Sequence, residues 1–75
     1  MPYISIKAYP RDKATNQKLV EAINQTVQNV IGCPPEALTI LFEEVAKEDW
    51  KAKVDDALVA LDMDHVMILK GQKRY

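Results

Sequence analysis

Hydrophobic and polar positions alternate from residue 3 to residue 9. Ile4, Ile6 and Ala8 fall on one side of this run, and Tyr3, Ser5, Lys7 and Tyr9 on the other. That is the period of two of a β-strand. Pro10 ends it, and Arg11-Asp12-Lys13 form a polar connection. Thr15 then offers an N-cap side chain. Leu19, Ile23, Val27, Val30 and Ile31, with Val20 beside them, make one apolar stripe at helical spacing. Gly32 stands where a left-handed C-cap is expected, and Pro34-Pro35 prevent continuation. Residues 38–45 return to alternation, with Leu38, Ile40 and Phe42 set against Thr39, Leu41, Glu43 and Val45.

A strand, a helix and a strand joined by short links predict a right-handed crossover with parallel strands. One helix covers one face of such a sheet. The other face carries Tyr3, Tyr9, Leu41 and Val45, and parallel sheets are seldom left open on a face. A second subunit is expected to cover it. After Val45 the periodicity weakens. Glu48-Asp49 precede Trp50, and Val54, Ala57, Leu58 and Leu61 fit a helix, with a short strand near residues 57–60 as the alternative. Asp62 is expected to cap a final short helix carrying Met63, Val66 and Met67 and closed by Gly71. The tail Gln72-Lys73-Arg74-Tyr75 is read as loose or as dressing an interface. The predicted architecture is α/β: a single β-α-β unit with parallel strands and a short C-terminal helical extension, its sheet completed by oligomerisation. Residues 1–75 form one domain.

Composition sharpens the oligomer expectation. Seventy-five residues, 48% hydrophobic and 28% charged, hold one small domain. Chains below roughly 70–80 residues usually need a staple. A single cysteine, Cys33, excludes an intrachain disulfide and a Cys-rich zinc site, so self-association is the staple left. Ten Lys/Arg against eleven Asp/Glu, scattered along the chain, leave no basic field for nucleic acid. The stretch 19–41 contains Glu21, Glu36 and two prolines, which rules it out as a membrane span. No basic segment followed by an apolar one marks a secretory signal. A cytoplasmic location is expected, with no membrane partner.

Most familiar constellations of catalysis are missing from the sequence. The only glycines are Gly32 and Gly71, so there is no phosphate-cradling loop. The lone His65 cannot build a metal cluster and is read as a surface histidine. Cys33 follows a helix C-terminus, where the dipole disfavours a thiolate, and is read as a packed thiol. What stands out is Met1-Pro2. Trimming of Met1 would leave a secondary amine at the start of a strand, where proline is tolerated. An N-terminal amine has a reference pKa of about 7.7–8.0, and apolar walls with a nearby cation would lower it into the range of a general base. If Met1 stays attached, Pro2 is an amide and has no basic lone pair. Arg11, one of two arginines, presents a planar fork for a carboxylate. Trp50, the only tryptophan, either anchors the last segment or walls a pocket.

Pro2 opening a short strand, Arg11 after it, one crossover helix, a second strand, then Glu44-Val45-Ala46-Lys47 and Trp50 together resemble the 4-oxalocrotonate tautomerase superfamily. The extension Trp50-Lys51-Ala52-Lys53-Val54-Asp55 resembles its short dimeric PptA-type branch. The resemblance covers residues 2 to about 50 and takes a one-residue gap near Pro10. It implies a cofactor-independent isomerase interconverting the enol and keto forms of a 2-oxo acid. Pro2 would be the general base, Arg11 would hold the substrate carboxylate and Trp50 would exclude water. It also implies a homodimer (or, as in the type member, a hexamer) with residues of a neighbouring subunit in each site. Where the type enzyme has a second arginine on strand two, this chain has Thr39. The clamp must differ, which favours a monocarboxylate aryl enol over a dicarboxylate, with Thr39 and Lys7 as candidate donors to the carbonyl oxygen. The alternative is a non-catalytic oligomeric binding or scaffold protein on the same fold.

Overall fold

A computed structural model describes all residues, 1–75. Strand β1 (Tyr3–Ala8), helix α1 (Lys13–Ile31) and strand β2 (Thr39–Glu44) follow in order, with a 3-10 turn at Pro35–Ala37 before β2. The strands are parallel, with Tyr3 opposite Thr39 and Ala8 opposite Glu44. Further hydrogen bonds extend the ladder at both ends: Thr39 N–H donates to Pro2 O (3.3 Å) and Val45 N–H to Ala8 O (2.8 Å). This is the β-α-β crossover that the alternation and the stripe predict, with β1 one residue shorter at its C-terminal end and β2 one residue shorter at each end.

Asp12, and not Thr15, caps α1. Its carboxylate accepts from Thr15 N–H (2.9 Å) and from the Thr15 hydroxyl (2.7 Å). Thr15 is the partner of the cap because a carboxylate one residue before the helix can satisfy both of its groups. These bonds hold the Asp12 carboxyl below the usual carboxylate range, the hydroxyl contact contributing most. At the other end Gly32 adopts φ 76°, and its N–H closes on Gln28 O at 2.8 Å. The helix face turned to the sheet carries Asn16, Val20, Ile23 and Val27, all half-buried. Leu19, Val30 and Ile31, expected in that stripe, are exposed. Two strands about 4.8 Å apart are narrower than the stripe they face.

The other face of the sheet is partly roofed by the chain itself. Residues 51–62 form wide π-type turns at Lys51–Asp55 and Leu58–Asp62. Trp50, Val54, Ala57 and Leu58 are half-buried along them. The segment is helical throughout, so the alternative strand near residue 57 does not form. The expected last helix does not form either. After a 3-10 turn at Met63–His65, Ile68–Leu69 (β3) and Gln72–Lys73 (β4) make a small antiparallel hairpin. Its two-residue turn has positive φ at Lys70 (50°) and Gly71 (82°), the geometry that suits a right-twisted hairpin. Gly71 is therefore a turn residue and not a helix stop. The Arg74 guanidinium donates to Met63 O (3.0 Å) and its N–H to Met67 O (2.7 Å), strapping the hairpin down. No helix is long and apolar enough to cross a membrane.

Val45, at 1% exposure, is the single fully buried residue. It was expected on the open face, and it lies just past the end of β2 at Glu44, with its N–H still bonded to Ala8 O. Tyr3 and Leu41 remain 64% and 47% exposed on that face. The chain exposes 6057 Å², where a folded monomer of its mass exposes about 4,700 Å². Its radius of gyration, 13.8 Å, exceeds the value of about 11.3 Å for a compact chain of this length.

Candidate functional site

The residues singled out in the sequence sit at two ends of β1. At its start lies Pro2, half-buried, its carbonyl accepting from Thr39 N–H. Thr39 is exposed and opposite Tyr3, so the substitute for the second arginine stands beside the proline.

The far end holds Arg11 and Trp50, joined through Tyr9. The Tyr9 and Trp50 rings meet edge to face, with centroids 4.8 Å apart and planes at 72°. The Arg11 guanidinium donates to Tyr9 O at 3.0 Å. Its backbone N–H donates to Glu44 Oε2 (3.2 Å), and the same oxygen accepts from Asn16 Nδ2 (3.1 Å). Glu44 thus ties the β1–α1 connection to the helix and fixes the arginine's backbone, while Tyr9 O sets the course of its side chain. Asn16 Oδ1 is buried without a partner, a second sign that this corner is polar inside. Trp50 anchors the last segment, its ring packing edge to face on Tyr9 where the roof begins.

Tyr9 and Asn16 were not singled out in the sequence, and Glu44 only as part of the motif that carries the resemblance. Tyr9 read only as a face residue of β1, and a Glu at a strand end has no period to distinguish it. Lys7 sits mid-strand on the open face, opposite Glu43. It is two residues from Tyr9 and five from Pro2.

Seven residues of extended chain separate Pro2 from Tyr9, about 23 Å. No cleft of the single chain is lined by Pro2, Arg11 or Trp50. One chain therefore brings Arg11, Tyr9 and Trp50 together and leaves Pro2 with Thr39 at the opposite end.

The sequence model of the family described as "Tautomerase enzyme" matches residues 2–55, the stretch from Pro2 through β2 and Trp50. The chain belongs to the tautomerase family. It is 30% identical over 66 residues to Tautomerase PptA of Cronobacter sakazakii, covering 85% of this chain and 87% of that protein. Tautomerase PptA of Enterobacter sp. (strain 638) is 29% identical over 73 residues, 95% of this chain and 96% of that one. The Pectobacterium atrosepticum protein of the same name is 27% identical over 66 residues, with 85% and 87% covered. Membership of the tautomerase family makes an isomerase of the tautomerase type the activity of this fold here. The β-α-β unit and its helical extension are the tautomerase architecture, and the family match stops at residue 55, just inside the roof.

Proposed function

We propose that this tautomerase interconverts the enol and keto forms of a 2-oxo monocarboxylic acid without a cofactor, in a homodimer whose sites draw on both chains. The Pro2 nitrogen, set free by removal of the fully exposed Met1, is the base. It takes the enol proton and returns a proton to the neighbouring carbon. Arg11 holds the carboxylate with its fork, and Trp50 keeps water from the reacting atoms. Charge developing on the 2-oxo oxygen takes a hydrogen bond from Lys7 or Thr39.

The observation that carries this reading is the division of the machinery between the ends of β1. The second edge of β1 is unpaired. Antiparallel pairing of two such edges about a two-fold axis near Ile6 would set Pro2 of one copy opposite Pro10 of the other. The amine would then face Tyr9, Arg11 and Trp50, and Lys7 would stand within reach. The excess exposure of about 1,400 Å² over a compact monomer exceeds the roughly 800 Å² that each partner buries in a standard interface. Exposed Tyr3 and Leu41 supply apolar area for it.

Ketonisation of enolphenylpyruvate, followed by ultraviolet absorbance on protein shown by mass to lack Met1, tests the chemistry. Pro2→Ala should lower kcat/KM by at least 10²-fold, the lower bound for a general base. Mixing Pro2→Ala with Arg11→Ala protein, each inactive alone, should restore about a quarter of the native rate through hybrid dimers. No restoration would place both residues in one chain's site and break the two-chain reading. Equal rates for native and Pro2→Ala protein would favour the non-catalytic binding or scaffold role.

A further inference from the structure

Two carboxylates stand beside Arg11, and neither pairs with its guanidinium. Asp12 follows it in the chain and gives both oxygens to Thr15, one to the N–H (2.9 Å) and one to the hydroxyl (2.7 Å). Glu44 accepts from the Arg11 backbone N–H through Oε2 at 3.2 Å, and the same oxygen accepts from Asn16 Nδ2 at 3.1 Å. The chain's single ion pair lies elsewhere, between Lys51 and Asp56. The guanidinium donates one N–H to Tyr9 O, and the rest of its fork is uncommitted.

We infer that Asn16 is a positioning residue for substrate binding: it holds the Glu44 carboxylate and so keeps the Arg11 fork open to a carboxylate from outside. The inference rests on the proposed role of Arg11 as the holder of the substrate carboxylate.

Asn16 goes against the local rules of its helix. It stands half-buried on the face of α1 turned to the sheet, one turn before Val20, where the stripe asks for an apolar side chain. Asparagine is also a poorer helix former than leucine. Its Oδ1 is buried without a partner, which lowers stability. The reverse amide orientation is worse, since it sets Oδ1 against the Glu44 carboxylate. A residue that breaks the pattern and leaves an atom unsatisfied is expected where function needs it. What Asn16 provides is the bond to Glu44.

Without that bond Glu44 has a charged partner at hand. Glu44 and Arg11 are both long and exposed, and the carboxylate already lies against the Arg11 backbone. Once released, it meets the guanidinium in the fork geometry that a substrate carboxylate needs. The two carboxylates then compete for one arginine. An exposed pair is weak, so the competition changes affinity only a few-fold.

Steady-state ketonisation of enolphenylpyruvate by Asn16→Leu protein tests this, because leucine keeps much of the shape of asparagine and removes both polar atoms. KM should rise about threefold with kcat held. The variant should melt no lower than native protein, because the orphaned oxygen is gone. Adding Glu44→Gln should return KM to native, since a neutral amide does not pair with the fork. Glu44→Gln alone should lower KM less than it does beside Asn16→Leu. The Arg11 Nε–H resonance should shift in Asn16→Leu protein and return in the double variant. Asn16→Ala carries the same kinetic test if the leucine variant does not fold. A native KM without Asn16, or an equal effect of Glu44→Gln in both backgrounds, would overturn the inference. Arg11→Ala separates it from the reading beneath it. If that variant loses the rate while Asn16→Leu keeps a native KM, only the role of Asn16 falls. If it keeps the native rate, the role of Arg11 falls as well.

Discussion

Residues 2–45 and residues 46–75 are built on different principles. The first part is a β-α-β crossover whose strands, helix and caps each obey one period, and it contains the only fully buried residue, Val45. The second is a chain of π-type turns, two 3-10 turns and a six-residue hairpin. It is held by one exposed ion pair, the Tyr9–Trp50 contact and the Arg74 strap. The first part is stabilised by burial and a shared ladder, the second by a few point contacts. The difference also divides the candidate site residues. Pro2, Thr39, Tyr9 and Arg11 belong to the first part, and Trp50 to the second.

The sharpest test of this contrast is Val45→Ala. Removing two methyl groups from the one fully enclosed site should lower stability by about 2 kcal/mol, read by urea denaturation. Trp50→Ala should have a smaller effect, about 1 kcal/mol for loss of the ring pair. Its effect on amide hydrogen exchange should be concentrated in residues 51–73, with β1, α1 and β2 still protected. Uniform loss of protection would mean that the two parts unfold as one. Lys70→Asn should raise the melting temperature slightly, by the equivalent of about 0.5 kcal/mol, because Asn tolerates the positive φ that Lys70 adopts (50°). The smallest pH dependence near neutrality belongs to the Asp12 cap. Its carboxyl is held below its ordinary value in the folded chain, so the stability it gives is full above the unfolded value of about 3.9 and is lost as pH falls through the folded one. Native protein should melt earlier below pH 4, Asp12→Ala should flatten that dependence, and neither should change between pH 5 and 8.

Legibility in the sequence follows the same division. β1 and β2 were readable because a sheet with one face on a helix imposes strict alternation. The end of α1 was readable because Gly32 before Pro34-Pro35 permits little else. The cap was misplaced by three residues, since Asp12 and Thr15 are both good N-cap types and only the bonds between them show which is outside. Beyond Val45 the helical reading of residues 54–61 held, and that of the last helix did not. Met63, Val66 and Met67 have helical spacing, yet Gly71 serves a two-residue turn and Lys70 gives no sign of it. The placing of Pro2 before β1 and of Arg11 after it was legible from the alternation alone. The contact of Trp50 with Tyr9 was not, because residue types carry no record of which distant ring a side chain will meet.

Every rung of the β1–β2 ladder joins residues 36 positions apart in the chain. Closing a loop of that size costs roughly 3 kcal/mol of chain entropy before the first rung forms. Helix α1 occupies 19 of the intervening residues. Coiling them shortens the path, so α1 is expected to form ahead of the sheet. Mutations that weaken α1 should therefore slow refolding, while those in the last thirty residues should mainly hasten unfolding.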